Sequence, residues 1–461
     1  LLNGKIPYKE IFLEYGILSV LINSFLLIIF DKDLFSLIAF TCFCYSLTLY
    51  LIGTITLKLT KNKIYSLFVV SVLFLLYPWP TSPWPNFYSF MFSCLFISNY
   101  LSKDLKKSYL AGIYLALAYL SLTTIFNFII IFYFLLISLT VIIFKKILEK
   151  EDIIKIRNIL ITFFLSISIY FVYLYNQNLI NIWVTYQKLP FIFNDAFEGH
   201  STFDFLIKYA NFVFIYSFKN FIFEPQWSLY SIFILSNFIL IVISIKNLNK
   251  KNEIKINTEL LIINLYILSL NFYGQVLGLE KLATSMSLGG ISLIILILKI
   301  KSDDTKLIIN FMIIFATLYS LIFSYSLKDS KISGIRNIHL KELIDKNKKI
   351  KNDELKYYKN QKWDKKDWEI LKIISTTQNK INLNCNIEFG ANLTTDNFYH
   401  SMIKYKKIQV IPFFFKQTGQ ILRGYIEPGL VTNIQNQIDN ENIYIITTEN
   451  NDKMFDFKNY D

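Results

Sequence analysis

Arginine, histidine and cysteine are scarce in this 461-residue chain, and what little there is sits in the wrong places for a metalloenzyme. His200, His339 and His400 are too scattered to form a metal cluster. Cys42, Cys44 and Cys94 lie inside apolar runs and Cys385 stands alone, so neither zinc-site spacing nor a disulfide framework is present. A soluble metalloenzyme is thereby disfavoured. Charge is also short. Charged residues make up 18% of the chain, where about a quarter is usual for a soluble protein. The net charge of +13 does not point to nucleic acid, because much of the excess lies in short breaks between apolar runs. Lysine far outnumbers the arginines Arg157, Arg336 and Arg423; this fits an AT-rich coding sequence, and no function is read from it.

What is present is apolar: 54% of the residues are hydrophobic and 17% aromatic. They fall in runs of about 15 to 23 residues, the pattern of a polytopic α-helical membrane protein. The runs predict about ten spans, near 35–57, 64–79, 87–102, 108–122, 125–144, 158–176, 227–246, 258–274, 283–299 and 306–327. Positive residues crowd alternate breaks: Lys58, Lys61 and Lys63; Lys103, Lys106 and Lys107; Lys145, Lys146, Lys150, Lys155 and Arg157; Lys246, Lys250, Lys251 and Lys255; Lys299, Lys301 and Lys306. The opposite loops are longer in total and hold only Lys5, Lys9, Lys188, Lys208, Lys219 and Lys281. The positive-inside rule makes the first set cytoplasmic. The N-terminal segment, the 177–226 loop and everything after residue 328 are then expected outside, with the chain in a bacterial inner (plasma) membrane.

Two apolar stretches break the alternation if they are counted as spans. Residues 16–30 are short, and residues 205–223 are interrupted by Lys208, Lys219 and Asn220. Both are expected as helices in the outer interface, where aromatic rings and lysines are stable. The expected domains are therefore an external segment at 1–34, a membrane domain at 35–327 and a small outward α/β domain at 328–461. Within the last, 328–370 reads as a solvated helical region. Strands are expected at Ile381–Ile387, Ile408–Phe415 and Ile443–Thr447, with helical stretches at Asp396–Tyr405 and Leu430–Ile438.

The chemistry-bearing candidates open the chain. Glu10 and Glu14 share one face of a helix. They read either as solvated carboxylates of an interfacial helix, or as a base that takes an acceptor proton beside a group that orients it or binds a divalent cation. Cations near the outer interface would hold a lipid phosphate. Lys281 is the leading candidate, with Lys188, Lys208 and Lys219 in the long loop behind it. Asp195, Glu198 and His200 form a polar cluster suited to an acceptor, or simply a solvated loop tip.

The run Gly4-Lys5-Ile6-Pro7-Tyr8-Lys9-Glu10-Ile11-Phe12, followed by Tyr15-Gly16-Ile17-Leu18, resembles the first external loop of GT-C integral membrane glycosyltransferases, which include protein mannosyltransferases and the lipid A aminoarabinose transferase. Gly4, Pro7, Tyr8 and Gly16 match the family pattern. Glu10 stands where Asp is usual, and Ile17 where Pro is usual. Tyr77-Pro78-Trp79-Pro80-Thr81-Ser82-Pro83-Trp84-Pro85-Asn86 resembles the second external loop, with Asn86 where an Asp often lies. Ala111-Gly112-Ile113-Tyr114-Leu115-Ala116-Leu117-Ala118 is similar to a small-residue helix that permits close packing.

The resemblance implies transfer of a sugar from a polyprenyl-phosphate carrier to a hydroxyl of a glycan, lipid or protein on the outer face. Glu10 would act as base aided by Glu14, Tyr8 and Asn86 would contact substrate, and Lys281 would hold the donor phosphate. It also implies inversion at the sugar, and a further span upstream of Leu1. It names no certain cofactor, and a divalent cation is the one candidate. Two other readings stay open: a glycan or lipid exporter or polymerase, which would more often carry charge inside its spans, and a non-catalytic relative.

Overall fold

The computed structural model describes residue 7, residues 16–30, 34–76, 85–121, 150–181, 183–184, 225–247, 263–267, 289–299, 310–311, 314–315 and 318, and strand segments 349–351, 362–364, 388–392 and 443–446. The chain divides into two units. One comprises residues 1–14, 181–202 and 340–461, and the other residues 15–180 and 203–339.

The larger unit is helical where described. Its helices are α1 (Ile17–Ile29), α2 (Leu34–Thr60), α3 (Lys63–Leu76), α4 (Pro85–Tyr100), α5 (Lys106–Ser121), α6 (Lys150–Asn176), α7 (Pro225–Asn247) and α8 (Gly289–Lys299). Polar caps set the turns. Asn62 Oδ1 accepts from the backbone N–H of Ile64 at 2.9 Å and starts α3, and Asp104 Oδ1 accepts from that of Lys106 at 2.9 Å and starts α5. Lys61 and Asn178 adopt left-handed φ values of 54° and 55° just past the ends of α2 and α6, where such a residue closes a helix.

Cross-helix contacts give the directions. Ser66 Oγ donates to Gly53 O at 2.7 Å and Tyr45 OH donates to Phe74 O at 3.4 Å, so α3 runs back along α2. Lys58 reaches Ser98 while Phe40 meets Tyr88, so α4 parallels α2. Asn158 Nδ2 donates to Ser108 Oγ at 3.1 Å, and Gly112 faces Thr162 and Ile159, so α6 parallels α5. Likewise, Phe233 meets Gly289 and Asn237 meets Ser292, so α7 and α8 are parallel. Consequently the turns bearing Lys58, Lys61, Lys63, Lys103, Lys106 and Lys107, together with the start of α6, gather at one end of the bundle. Gly16, Pro85 and Ser121 lie at the other.

Packing is closest where side chains are smallest. A Cβ on Gly112 would strike Thr162 Oγ1 and the Ile159 carbonyl, and Ala111, Ala116 and Ala118 are fully buried. Large apolar side chains are also exposed among the described residues. On α6, Ile159, Phe163, Ile167, Tyr170 and Leu174 are buried, while Ile161, Leu165, Ile169 and Val172 form an exposed stripe, Ile169 at 75%. A helix apolar on all sides is stable only inside a large core or in lipid. Among the described residues, two helices, Ser36–Thr60 and Ile153–Asn176, are long and apolar enough to cross a membrane.

Residues 150–157 were expected in a break between runs, but α6 begins at Lys150. Lys155 places its ammonium 5.2 Å from the centre of the Tyr100 ring, a cation–π contact that lets a lysine lie in a packed helix. The expected span 125–144 lies outside the described residues, as does most of 258–274 and 306–327.

In the other unit, β1 (Lys349–Lys351) pairs antiparallel with β2 (Lys362–Asp364), and β3 (Glu388–Asn392) pairs parallel with β4 (Ile443–Ile446). The first pair corrects the helical reading of 328–370 at these six residues. Lys-Ile-Lys opposite Lys-Trp-Asp alternates with period two, and Ile350 and Trp363 are direct cross-strand partners. The β4 segment falls inside the expected strand at Ile443–Thr447. The expected strands at Ile381–Ile387 and Ile408–Phe415, and both expected helical stretches of the tail, lie outside the described residues.

Candidate functional site

The end of the bundle opposite the lysines is where α1 is fastened. Gly16 adopts an extended conformation, φ −64° and ψ 146°, which any residue can take. Glycine is required there by proximity: a Cβ would fall on the Leu120 carbonyl oxygen and within 2.5 Å of Ser121 C. One turn on, Ser19 Oγ donates to Ser121 O at 2.8 Å, satisfying one of the carbonyls that end α5 without an intrahelical donor. Another turn on, Tyr88 OH on the first turn of α4 donates to Asn23 Oδ1 at 2.7 Å. Tyr88 is fully buried beside Cys44 and Met91, with Ile22 and Phe40 packed on the group. The first two turns of α1 are thus locked to the last turn of α5 and the first turn of α4. At about 1.5 Å per residue, the 13 residues of α1 span about 20 Å, short of a bilayer core of about 30 Å.

Asn86 is the second residue of α4, after Pro85, which suits a helix start because it has no N–H to leave unpaired. Glu10, Glu14, Tyr8, His200, Lys219 and Lys281 lie outside the described residues. Residues 1–14, which hold Tyr8 and both glutamates, belong to the smaller unit with 181–202, which holds His200; Lys219 and Lys281 fall in the larger unit. Pro7 is buried. In the chain, Glu14 precedes the locked Gly16 by two residues. Among the described residues no group of three His, Cys, Asp or Glu side chains could hold a metal ion.

A second polar feature lies within the larger unit. Asn237 Nδ2 on α7 donates to Asn264 Oδ1 at 2.7 Å and to Ser292 Oγ on α8 at 3.1 Å, and Ser292 Oγ donates to Asn264 Oδ1 at 2.6 Å. All three residues are buried. Nearby in sequence, Tyr266 OH donates to Ser93 Oγ on α4 at 2.9 Å. Asn237 Oδ1 and Ser244 Oγ are buried with no hydrogen-bond partner among the described residues. Neutral polar groups of this kind join helices where no water competes. Sequence reasoning passed over this cluster, although polar residues inside apolar runs were the available signal.

No protein-family model, curated protein or solved structure matches this chain.

Proposed function

We propose that the protein is a multi-pass membrane glycosyltransferase of the GT-C type. Its substrate would be a sugar on a polyprenyl phosphate, its acceptor a hydroxyl of a glycan, lipid or protein on the outer face. The observation that carries this reading is the locking of α1 onto the ends of α4 and α5. It holds the chain that follows Glu10 and Glu14 against the same bundle end as Asn86, the end away from the lysines. A catalytic carboxylate has to be presented at a fixed height beside a membrane, and such a lock serves that purpose. The exposed apolar stripe of α6 supports lipid as the surrounding medium, and the gathering of lysines at the far end supports that end as cytoplasmic. The three pieces of the smaller unit, 1–14, 181–202 and 340–461, each fall within a segment expected outside, while 203–226 belongs to the larger unit.

In this reaction the acceptor oxygen attacks the anomeric carbon as Glu10 accepts its proton. The bond from sugar to phosphate breaks, and the polyprenyl phosphate departs with its charge met by Lys281. Direct displacement inverts the anomeric centre. The test is transfer from radiolabelled polyprenyl-phosphate sugars to membrane acceptors by purified protein in liposomes, comparing wild type with Glu10→Gln. Loss of a general base costs about 10²- to 10⁴-fold. Transfer unchanged by Glu10→Gln removes Glu10 as base. Absence of transfer with every donor, together with substrate flux into vesicles, replaces the enzyme by a transporter.

A further inference from the structure

Arg157 is exposed on α6, while Lys155, Ile156, Asn158 and Ile159 around it are buried. Residues four, seven and eight apart share one face of a helix. That spacing puts Arg157 in line with Ile161, Phe164, Leu165 and, one turn further, Ile169. All four are exposed, from 46% at Ile161 to 75% at Ile169. The face is thus one cation at the head of an apolar track. At about 1.5 Å per residue the track from Arg157 to Ile169 is about 18 Å long, close to the half-thickness of about 15 Å of a bilayer core.

The guanidinium is held at the head of this track. Arg157 Nη2 donates to Asn158 Oδ1 at 3.5 Å, and Asn158 Nδ2 donates to Ser108 Oγ on α5 at 3.1 Å. The Asn158–Ser108 bond is buried between the two helices, so the oxygen that meets Arg157 is itself fixed. A guanidinium has five N–H donors, and one is used here. Among the described residues Arg157 forms no ion pair. Glu151 lies six residues earlier, off this face. Lys155 is not a second cation of the site, because its ammonium rests over the Tyr100 ring. A planar guanidinium with free donors matches two oxygens of one phosphate, and the apolar track below it matches a hydrocarbon chain.

We infer that Arg157 binds the phosphate of an anionic phospholipid, with an acyl chain of that lipid lying along Ile161, Phe164, Leu165 and Ile169. Inorganic phosphate would share the guanidinium but not the track. The inference rests on the chain being a membrane protein and is independent of glycosyl transfer, so its failure leaves the transfer assay untouched.

The experiment is a lipid titration of the full chain, delipidated in detergent and followed by native mass spectrometry. Phosphatidylglycerol, phosphatidylcholine with the same acyl chains, and inorganic phosphate are the three probes. Wild type is expected to bind phosphatidylglycerol more tightly than phosphatidylcholine, and phosphate at equal concentration should not displace it. Near a lipid surface one basic side chain contributes about fivefold to affinity, so Arg157→Gln should weaken phosphatidylglycerol binding by about that factor. Arg157→Lys keeps the charge without the planar fork and should fall between the two, which separates loss of a ligand from misfolding of the Gln variant. Lys103→Gln removes an exposed cation from the turn before α5 and should leave the affinity unchanged. Wild-type affinity in Arg157→Gln, an equal loss in Lys103→Gln, or displacement by phosphate alone overturns the site.

Discussion

Replacing Gly16 by alanine tests whether the start of α1 is held as tightly as its contacts require. The new Cβ would meet three backbone atoms of α5, with Ser121 C at 2.5 Å and Leu120 C at 2.6 Å. Backbone cannot swing aside as a side chain does. Carbon contacts relax only near 3.5 Å, so α1 must withdraw from α5 by about 1 Å. Overpacking of this kind costs about 1–3 kcal/mol. Withdrawal also breaks the Ser19–Ser121 bond, a loss of about 1 kcal/mol. Against this, alanine restricts the unfolded chain and returns about 0.4–1 kcal/mol, because the Gly16 backbone angles suit it. The net expectation is a destabilisation of about 2 kcal/mol by equilibrium unfolding in mixed micelles. Gly290→Ala is the matched control. Its Cβ would meet the Phe233 ring at 3.4 Å and Val69 at 3.6 Å, ordinary contacts, and a helical glycine replaced by alanine gains about 0.5–1 kcal/mol. If Gly16→Ala proves as stable as wild type, or Gly290→Ala as damaging as Gly16→Ala, the close-approach reasoning is refuted. Should transfer be found, Gly16→Ala is expected to depress it about a hundredfold, since a 1 Å misplacement has that effect.

The buried polar cluster makes an asymmetric prediction. Asn264→Leu strips Asn237 and Ser292 of the acceptor they share, whereas Asn237→Leu also removes a carbonyl oxygen with no partner among the described residues; the first should therefore cost at least about 1 kcal/mol more in the same unfolding assay. Equal losses would show that the Asn237 oxygen has a partner after all. Orientation can be read with a membrane-impermeant maleimide on intact cells. Cys385 should label from outside, and Lys103→Cys only after permeabilisation; the reverse order would invert the topology.

Much of the helical layout was visible in the chain. The described helices α2, α3, α4, α5 and α7 fall within about three residues of the expected apolar runs, because an unbroken apolar run bounded by polar residues needs no distant partner to specify it. Asn62, which caps α3 by accepting from the N–H two residues on, is a local signal that sequence reasoning passed over. The early start of α6 was not visible: Lys155 looked like a loop residue until Tyr100, more than fifty positions away, supplied its ring. The β1–β2 pair was missed for a similar reason. Three-residue strands carry little periodicity, and what favours them is the partner strand.

For the candidate site the division runs differently. The sequence alone supplied its candidates, the carboxylates Glu10 and Glu14, the amide of Asn86 and the cation of Lys281, which are read from residue type, spacing and resemblance. It also led to the expectation that the alternating lysines share one side, since their alternation along the chain is a one-dimensional pattern. Only tertiary structure decided that Gly16 is needed for closeness, that Ser19 and Asn23 anchor α1, and that Asn237, Asn264 and Ser292 meet. Each of those contacts joins residues at least 27 positions apart. A hydroxyl or amide in an apolar run has no local partner to reveal its role; its meaning depends on which helix the packing brings beside it.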